Sequence, residues 1–181
     1  SWYVNGLAEF LYKNGLPFDI NLSVEDQPHH LRFKASEKSL ADKYITLNGG
    51  GKDSAVSGEV LKSMDIPFSW LTLGMNPAQR KVIEISKNAN HIKVGGRADK
   101  YRKELKKKFG LYKGHQPLSL YLSFVAAMAA EVNGSHYIIA SNEKSANHEN
   151  LIHNGVKINH QYTKSFQFES ELNNYIKLYL N

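Results

Sequence analysis

Three stretches of this 181-residue chain collect groups able to do chemistry. In the first, NGGGKDS (Asn48–Ser54), Gly49, Gly50 and Gly51 let backbone N–H groups approach an anion closely, and Lys52 sets a cation beside the carboxylate of Asp53. Phosphate is the natural guest where a helix starts, because the helix N-terminus adds partial positive charge. The string is not a Walker A loop, which needs Gly at 46, where Thr46 stands, and Ser or Thr after Lys52, where Asp53 stands. It is not a dinucleotide fingerprint either, since Ser54 replaces the third glycine and no acidic residue closes the next strand. Without a ligand the same residues make a glycine-rich turn with a helix cap at Asp53 or Ser54.

The second stretch, ASNEKSANHEN (Ala140–Asn150), offers Asn142, Glu143, Ser145 and Asn147 as donors and acceptors for a metal or a polar substrate. A solvated loop with local Asn and Ser capping bonds would use the same residues. The third, NHQYTKSFQFE (Asn159–Glu169), places His160, Tyr162, Lys164, Ser165 and Glu169 among aromatic residues, suiting proton transfer or the anchoring of a carboxylate or phosphate. Its alternation would also make an edge strand. His115, in GHQP (Gly114–Pro117), is either a further polar candidate or a loop histidine bonded to backbone.

Elements must hold these groups in place, and their order is regular from Tyr44 onward. YITLN stops at three glycines and reads as a strand; Ser54–Met64 follows with Val56, Val60, Leu61 and Met64 at helical spacing. IPFSWLTL is a second strand closed by Gly74 and Pro77, Ala78–Lys87 is helical by period, and HIKVG is a third strand. Residues 97–108 hold seven Lys/Arg against Asp99 and Glu104, with Tyr101, Leu105 and Phe109 at a spacing that predicts a buried helical stripe. Leu118–Val132 is an apolar, Ala-rich helix ending at Asn133–Gly134 before the strand HYIIA. Ahead of all this come a short helix around Leu7, Phe10 and Leu11, a break at Gly15–Pro17 and an extended FDINL stretch.

Strands alternating with helices predict an α/β fold, a three-layer, Rossmann-like twisted parallel sheet with helices on both faces. In such sheets ligands bind beyond the carboxyl ends of the strands, here Asn48–Ser54, Gly74–Pro77, Gly95–Arg97 and Ser141–Asn150.

Composition narrows the chemistry. With 41% apolar and 22% charged residues the chain can build a core, burying roughly 70% of its unfolded surface. Zero cysteines exclude disulfides, Cys-ligated metal centres and thiolate catalysis, two-cysteine racemases among them. The net charge is 23 − 17 = +6, of which the 97–108 segment contributes +5. No apolar run is long enough for a membrane span, so a soluble, cytoplasmic protein without a membrane partner is expected. Ser1 is not an initiator Met, which suggests a fragment of something longer.

Gly49-Gly50-Gly51-Lys52-Asp53-Ser54 after a first strand resembles the SGGxDS signature of the PP-loop ATP pyrophosphatases, with Gly49 in place of the usual first serine. That resemblance implies ATP and Mg²⁺ as cofactors. The loop, Gly49 to Ser54, would hold the β- and γ-phosphates, Asp53 would lie near the magnesium, and adenine would lie near Leu73–Met75, with Leu73 and Gly74 closest. ATP would be split between its α- and β-phosphates, leaving an adenylated substrate and pyrophosphate.

Together, GGGKDS, GHQP, ASNEKSAN and VKINHQYTKSFQFE resemble the muropeptide glutamate epimerases (MurL) over residues 44–170. Members use ATP and magnesium to invert the terminal L-glutamate of UDP-N-acetylmuramoyl-L-alanyl-L-glutamate, supplying D-glutamate for peptidoglycan. By that resemblance Glu143 joins Asp53 as a metal candidate. His115, Asn142, Ser145 and Asn147 become substrate-binding candidates, and His160, Tyr162, Lys164 and His115 candidates for moving the α-proton.

The implied chemistry is coherent, since a free carboxylate holds its α-proton too tightly for a side-chain base and adenylation removes that charge. The expected division is an N-terminal appendage, 1–43, and a PP-loop ATP-binding domain, 44–181, cut short at its C-terminus. The rival readings are an amide ligase, an RNA-modifying enzyme supported by the basic helix alone, and a nucleotide-binding module without turnover.

Overall fold

The computed structural model describes residues 2–20, 41–87, 90–96, 101–110 and 117–179. They form two compact units that interleave along the chain: Ser1–Lys38 with Phe109–Leu120 and Glu143–Asn181, and Ser39–Lys108 with Tyr121–Asn142. Among the described residues no helix is long and apolar enough to cross a membrane.

The second of these units carries the sheet. Its strands β1 (Ala41–Leu47), β2 (Phe68–Leu73), β3 (His91–Val94) and β4 (Ser135–Ile139) lie in the order β3-β2-β1-β4, and every pairing is parallel. Between them run α2 (Lys52–Ser63), α3 (Pro77–Ser86), α4 (Arg102–Phe109) and α5 (Leu118–Asn133). Successive strand residues face opposite ways, and the core divides accordingly. Tyr44, Phe68, Trp70 and Ile139 pack with Leu61 of α2 and Val82 of α3, while Ile45, Leu71 and Ile138 pack with Ala126, Ala129 and Ala130 of α5. The result is the three-layer, Rossmann-like fold, with β1 central and the order reversing between β1 and β4.

Local chemistry explains the helix ends. Asn76 and Gln79 close a reciprocal capping box at the start of α3, with Pro77 in its first turn. In α2 the buried face is Ser54, Gly58 and Leu61, whereas Val56, Val60 and Met64 are exposed. Of the four apolar residues at helical spacing, Leu61 alone is buried. A Cβ on Gly58 would stand 2.6 Å from two Trp70 ring atoms, so the large sheet residue takes the space and the helix answers with small ones.

The basic helix exists, but Tyr101 and Leu105 are exposed rather than a buried stripe; the Phe109 side chain lies outside the described residues. Its Leu, Lys, Glu and Arg favour helix by intrinsic propensity without needing a core to face.

The other unit gathers α1 (Trp2–Lys13), a hairpin of β5 (Leu151–His153) and β6 (Val156–Ile158), two 3-10 turns (Lys144–Asn147 and Tyr162–Lys164) and α6 (Phe166–Tyr179). Asn154 and Gly155 join the hairpin with φ values of 49° and 77°, the pair of left-handed residues a tight type I′ connection requires. Trp2 sits edge-on to Phe168 and Tyr175, at centroid distances of 5.8 and 5.4 Å, and Ala8, Leu11, Ile158, Tyr162 and Phe168 are buried.

Phe18–Ile20, the described part of the FDINL stretch, lies in neither strand nor helix. One expectation fails here. Asn159–Glu169 is no edge strand but a turn, a 3-10 turn and the start of α6, because side chains take its backbone groups: Asn159 Oδ1 accepts from the Gln161 amide, Asn147 Oδ1 from Phe166 and Ser165 Oγ from Phe168.

Candidate functional site

The glycine bend stands at the carboxyl end of the central strand. Asn48, 3% exposed, closes β1 by donating its amide to Leu71 O at 2.9 Å, and its Oδ1 accepts the Gly50 amide at 2.9 Å. Gly49 N donates to Ser54 Oγ at 3.1 Å, so the serine hydroxyl folds the bend back onto α2. Gly51, just ahead of α2, has extended backbone and makes no side-chain cap. A helix N-terminus at a strand end offers what an anion needs.

Lys52 Nζ donates to Asp53 Oδ1 at 2.8 Å, with both side chains largely in solvent, at 77% and 42% exposure. A Cβ would meet nothing within 4 Å at Gly49 or Gly51, which leaves room above the bend. These features fit a phosphate-bearing ligand.

Gly50 is different: its φ is +84°, and a Cβ there would lie 2.9 Å from Gln79 N and 3.0 Å from Ala78 Cβ. The bend therefore rests on the first turn of α3, which joins it to the loop after β2. At the end of β2, Thr72 donates its hydroxyl to Gly74 O at 2.7 Å and so must accept from His91 Nε2–H at 2.8 Å. Burial first, and Lys93 second, push the His91 pKa down, so the ring donates as neutral imidazole. On the other side of β1, Ser57 of α2 meets Ser141 at 2.6 Å, which ties the helix behind the glycine bend to the loop after β4, where Asn142 is exposed. The structure thus brings Gly49–Ser54, Leu73, Gly74 and Asn142 to one edge of the sheet.

The remaining candidates belong to the other unit. Glu143 Oε2 accepts from Ser145 Oγ at 3.2 Å, and Asn147 spends its Oδ1 on the Phe166 amide at 2.7 Å, a structural use of a residue expected to bind substrate. His160 is held by Asn150, whose Oδ1 accepts the His160 backbone amide at 3.1 Å and meets its Nδ1 at 2.6 Å. An atom accepting a backbone N–H is the oxygen, so Nδ1 must donate to it; the neutral ring then carries its proton on Nδ1 and its lone pair on Nε2.

Tyr162 is 5% exposed and donates its hydroxyl to Glu171 Oε2 at 3.0 Å. Burial pushes its phenol pKa up, Glu171 adding to the rise and a hydrogen bond from Asn5 opposing it. Burial works against the Glu171 carboxylate too, but hydrogen bonds from Gln167, Tyr162 and Trp2 outweigh it and hold its pKa below the ordinary range. Lys164 is exposed, and His115 lies outside the described residues.

Among the described residues no group of three or more His, Asp or Glu is assembled to hold a metal. Sequence reading missed Asn48, Gln79, Asn150, Glu171 and the Ser57–Ser141 pair. Only Gln79 carried a local signal, as the third partner of an Asn-Pro-x-Gln cap.

Residues 1–181 match the profile of a family described as the MurL N-terminal domain. Among curated proteins, the chain is 32% identical over 176 residues to the UDP-N-acetyl-alpha-D-muramoyl-L-alanyl-L-glutamate epimerase of Salinispora tropica, covering 94% of this chain and 37% of that protein. A protein of the same name from a Micromonospora species is also 32% identical over 176 residues, with 94% and 38% covered. One from Xanthomonas oryzae pv. oryzae is 30% identical over 184 residues, with 98% and 39% covered. The chain spans less than two fifths of the length of these relatives.

Proposed function

The chain belongs to the family of the MurL N-terminal domain, and from that premise we propose that it supplies the nucleotide-binding part of an enzyme that epimerises the terminal L-glutamate of UDP-N-acetylmuramoyl-L-alanyl-L-glutamate at the expense of ATP, with Mg²⁺. One observation carries the nucleotide half of this reading: the glycine bend beyond the central strand, open above Gly49 and Gly51 and followed by a helix N-terminus where Gly51 makes no side-chain cap. The epimerase half rests on the names of the relatives.

In this reading the N-terminus of α2 and Lys52 would hold the phosphates, Asp53 would hold the magnesium, and Leu73 and Gly74 would border the adenine. ATP, when bound, supplies an adenylyl group that removes the negative charge of the substrate carboxylate, the charge that makes its α-proton so hard to take. His160 moves that proton. Asn150 keeps the ring lone pair on Nε2, where an imidazole can take a proton and return it. Lys164 is the second proton-transfer group. Tyr162 gives its hydroxyl to Glu171 and has a structural part. Asn142, Ser145 and His115 remain for the polar parts of the substrate, with Asn147 through its side-chain amide.

Incubating the full-length protein with ATP, Mg²⁺ and the UDP-linked dipeptide should release AMP and pyrophosphate and convert the terminal residue to D-glutamate. ADP and phosphate as products would overturn the reading. Pyrophosphate release without inversion would move it to another adenylating reaction.

A further inference from the structure

The glycine bend does not hold its shape alone. Asn48 Nδ2 donates to Gln79 O at 3.0 Å, and Gln79 Nε2 donates back to Asn48 O at 3.0 Å, across 31 residues of sequence. Each residue also serves its own loop. Asn48 Oδ1 holds the Gly50 amide at 2.9 Å, while Gln79 Oε1 holds the Asn76 amide and Gln79 N reaches Asn76 Oδ1, both at 2.8 Å. Gln79 is 6% exposed and Asn48 3%. Both side-chain amides are thus buried, and each uses its oxygen and its nitrogen, an arrangement costly to disturb because a buried amide left without a partner loses its hydration for nothing.

We infer that Gln79 is a positioning residue for the nucleotide site: through Asn48 it sets the glycine bend, and through Asn76 it sets the loop after β2, so that the phosphate side and the adenine side are held as one piece. The inference rests on the nucleotide reading above. A ligand spanning both loops would meet them already in register and would lose less freedom on binding. Gly50 agrees with it, since glycine there lets the bend lie against the Gln79 amide without a Cβ between them.

Gln79→Glu separates the clamp from the cap. Glutamate can still accept the Asn76 amide and complete the capping box, so α3 keeps its start. When ionised it cannot donate to Asn48 O; when protonated it can. Gln79→Met fills similar space and can do neither.

In the full-length protein, hydrogen exchange of the Gly50 amide without nucleotide should quicken about tenfold in both variants at neutral pH, as the loss of one buried bond implies. The ATP dissociation constant should rise by about the same factor. On acidification the Gln79→Glu defect, taken as a ratio to the unsubstituted protein at each pH, should shrink to about twofold as the buried carboxyl regains its proton, while the Gln79→Met defect stays.

Unchanged Gly50 exchange in the variants would overturn the clamp, and so would equal behaviour of the two across pH. If the unsubstituted protein binds no ATP, the nucleotide reading fails on its own and the exchange measurement still decides whether Gln79 shapes the bend.

Discussion

Gly50 carries two constraints, a left-handed φ of +84° and contact with the backbone of α3, while Gly49 and Gly51 carry neither. Gly50→Ala should therefore cost about 2–4 kcal/mol in urea unfolding, because backbone cannot give way as a flexible side chain would. Gly49→Ser should stay within about 0.5 kcal/mol of the parent. Equal losses at the two positions would mean that the bend does not rest on α3. The string GGGKDS announced a bend that could meet phosphate, but no feature of it singled out the middle glycine. That distinction comes from Ala78 and Gln79, which follow the next strand.

At the scale of elements, α2 lies close on the sheet because Gly58 leaves room for the Trp70 ring, which Ser86 holds by accepting the indole N–H at 3.0 Å. Gly58→Ala brings a methyl into a space already filled, at an expected cost of about 1–3 kcal/mol in thermal unfolding, with a changed tryptophan emission. A neutral outcome would show that the helix can lift without penalty. The strands and helices were legible because apolar periodicity and glycine punctuation are local signals, and they placed β1 to β4 within a few residues.

Where polar side chains replace backbone partners, the same signals mislead. The alternation in Asn159–Glu169 suggested a strand, yet Asn147, Asn159 and Ser165 fold it into turns. The Asn154-Gly155 hairpin is marked in the sequence by its turn residues alone.

At the scale of the whole molecule, the first and last described helices share a unit, joined where Asn5 and Trp2 of α1 bond to Tyr162 and Glu171. This junction has a pH signature. The Tyr162 phenol is raised, so its contribution is complete below the ordinary tyrosine value of about 10 and drains away as pH climbs past it. Glu171 is lowered, so its contribution is complete above the ordinary glutamate value of about 4.5 and is lost as pH falls below it. His91, lowered as well, adds a loss that begins below the ordinary histidine value of about 6.5. Unfolding measured across pH should therefore show a plateau from there to about 10, and Tyr162→Phe should flatten the alkaline limb and, by removing one of the donors to Glu171, shrink the acid limb. An unchanged alkaline limb would mean that Tyr162 ionises as freely in the folded chain as in the unfolded one.

Sequence alone determined the class of fold, the parallel order implied by strand–helix repeats, and the place of the glycine bend at a strand end. Each of these depends on residues a few positions apart, whose spacing dictates backbone shape directly. Only the tertiary structure decided which buried amide holds that bend, which glycine of three is crowded, and that Tyr162 is an interior hydroxyl while His160 is an oriented imidazole. Those outcomes depend on which atoms the sheet register and helix packing bring within about 3 Å, a distance at which hydrogen bonds form or fail, and residues 31 apart in the chain carry no local mark of it.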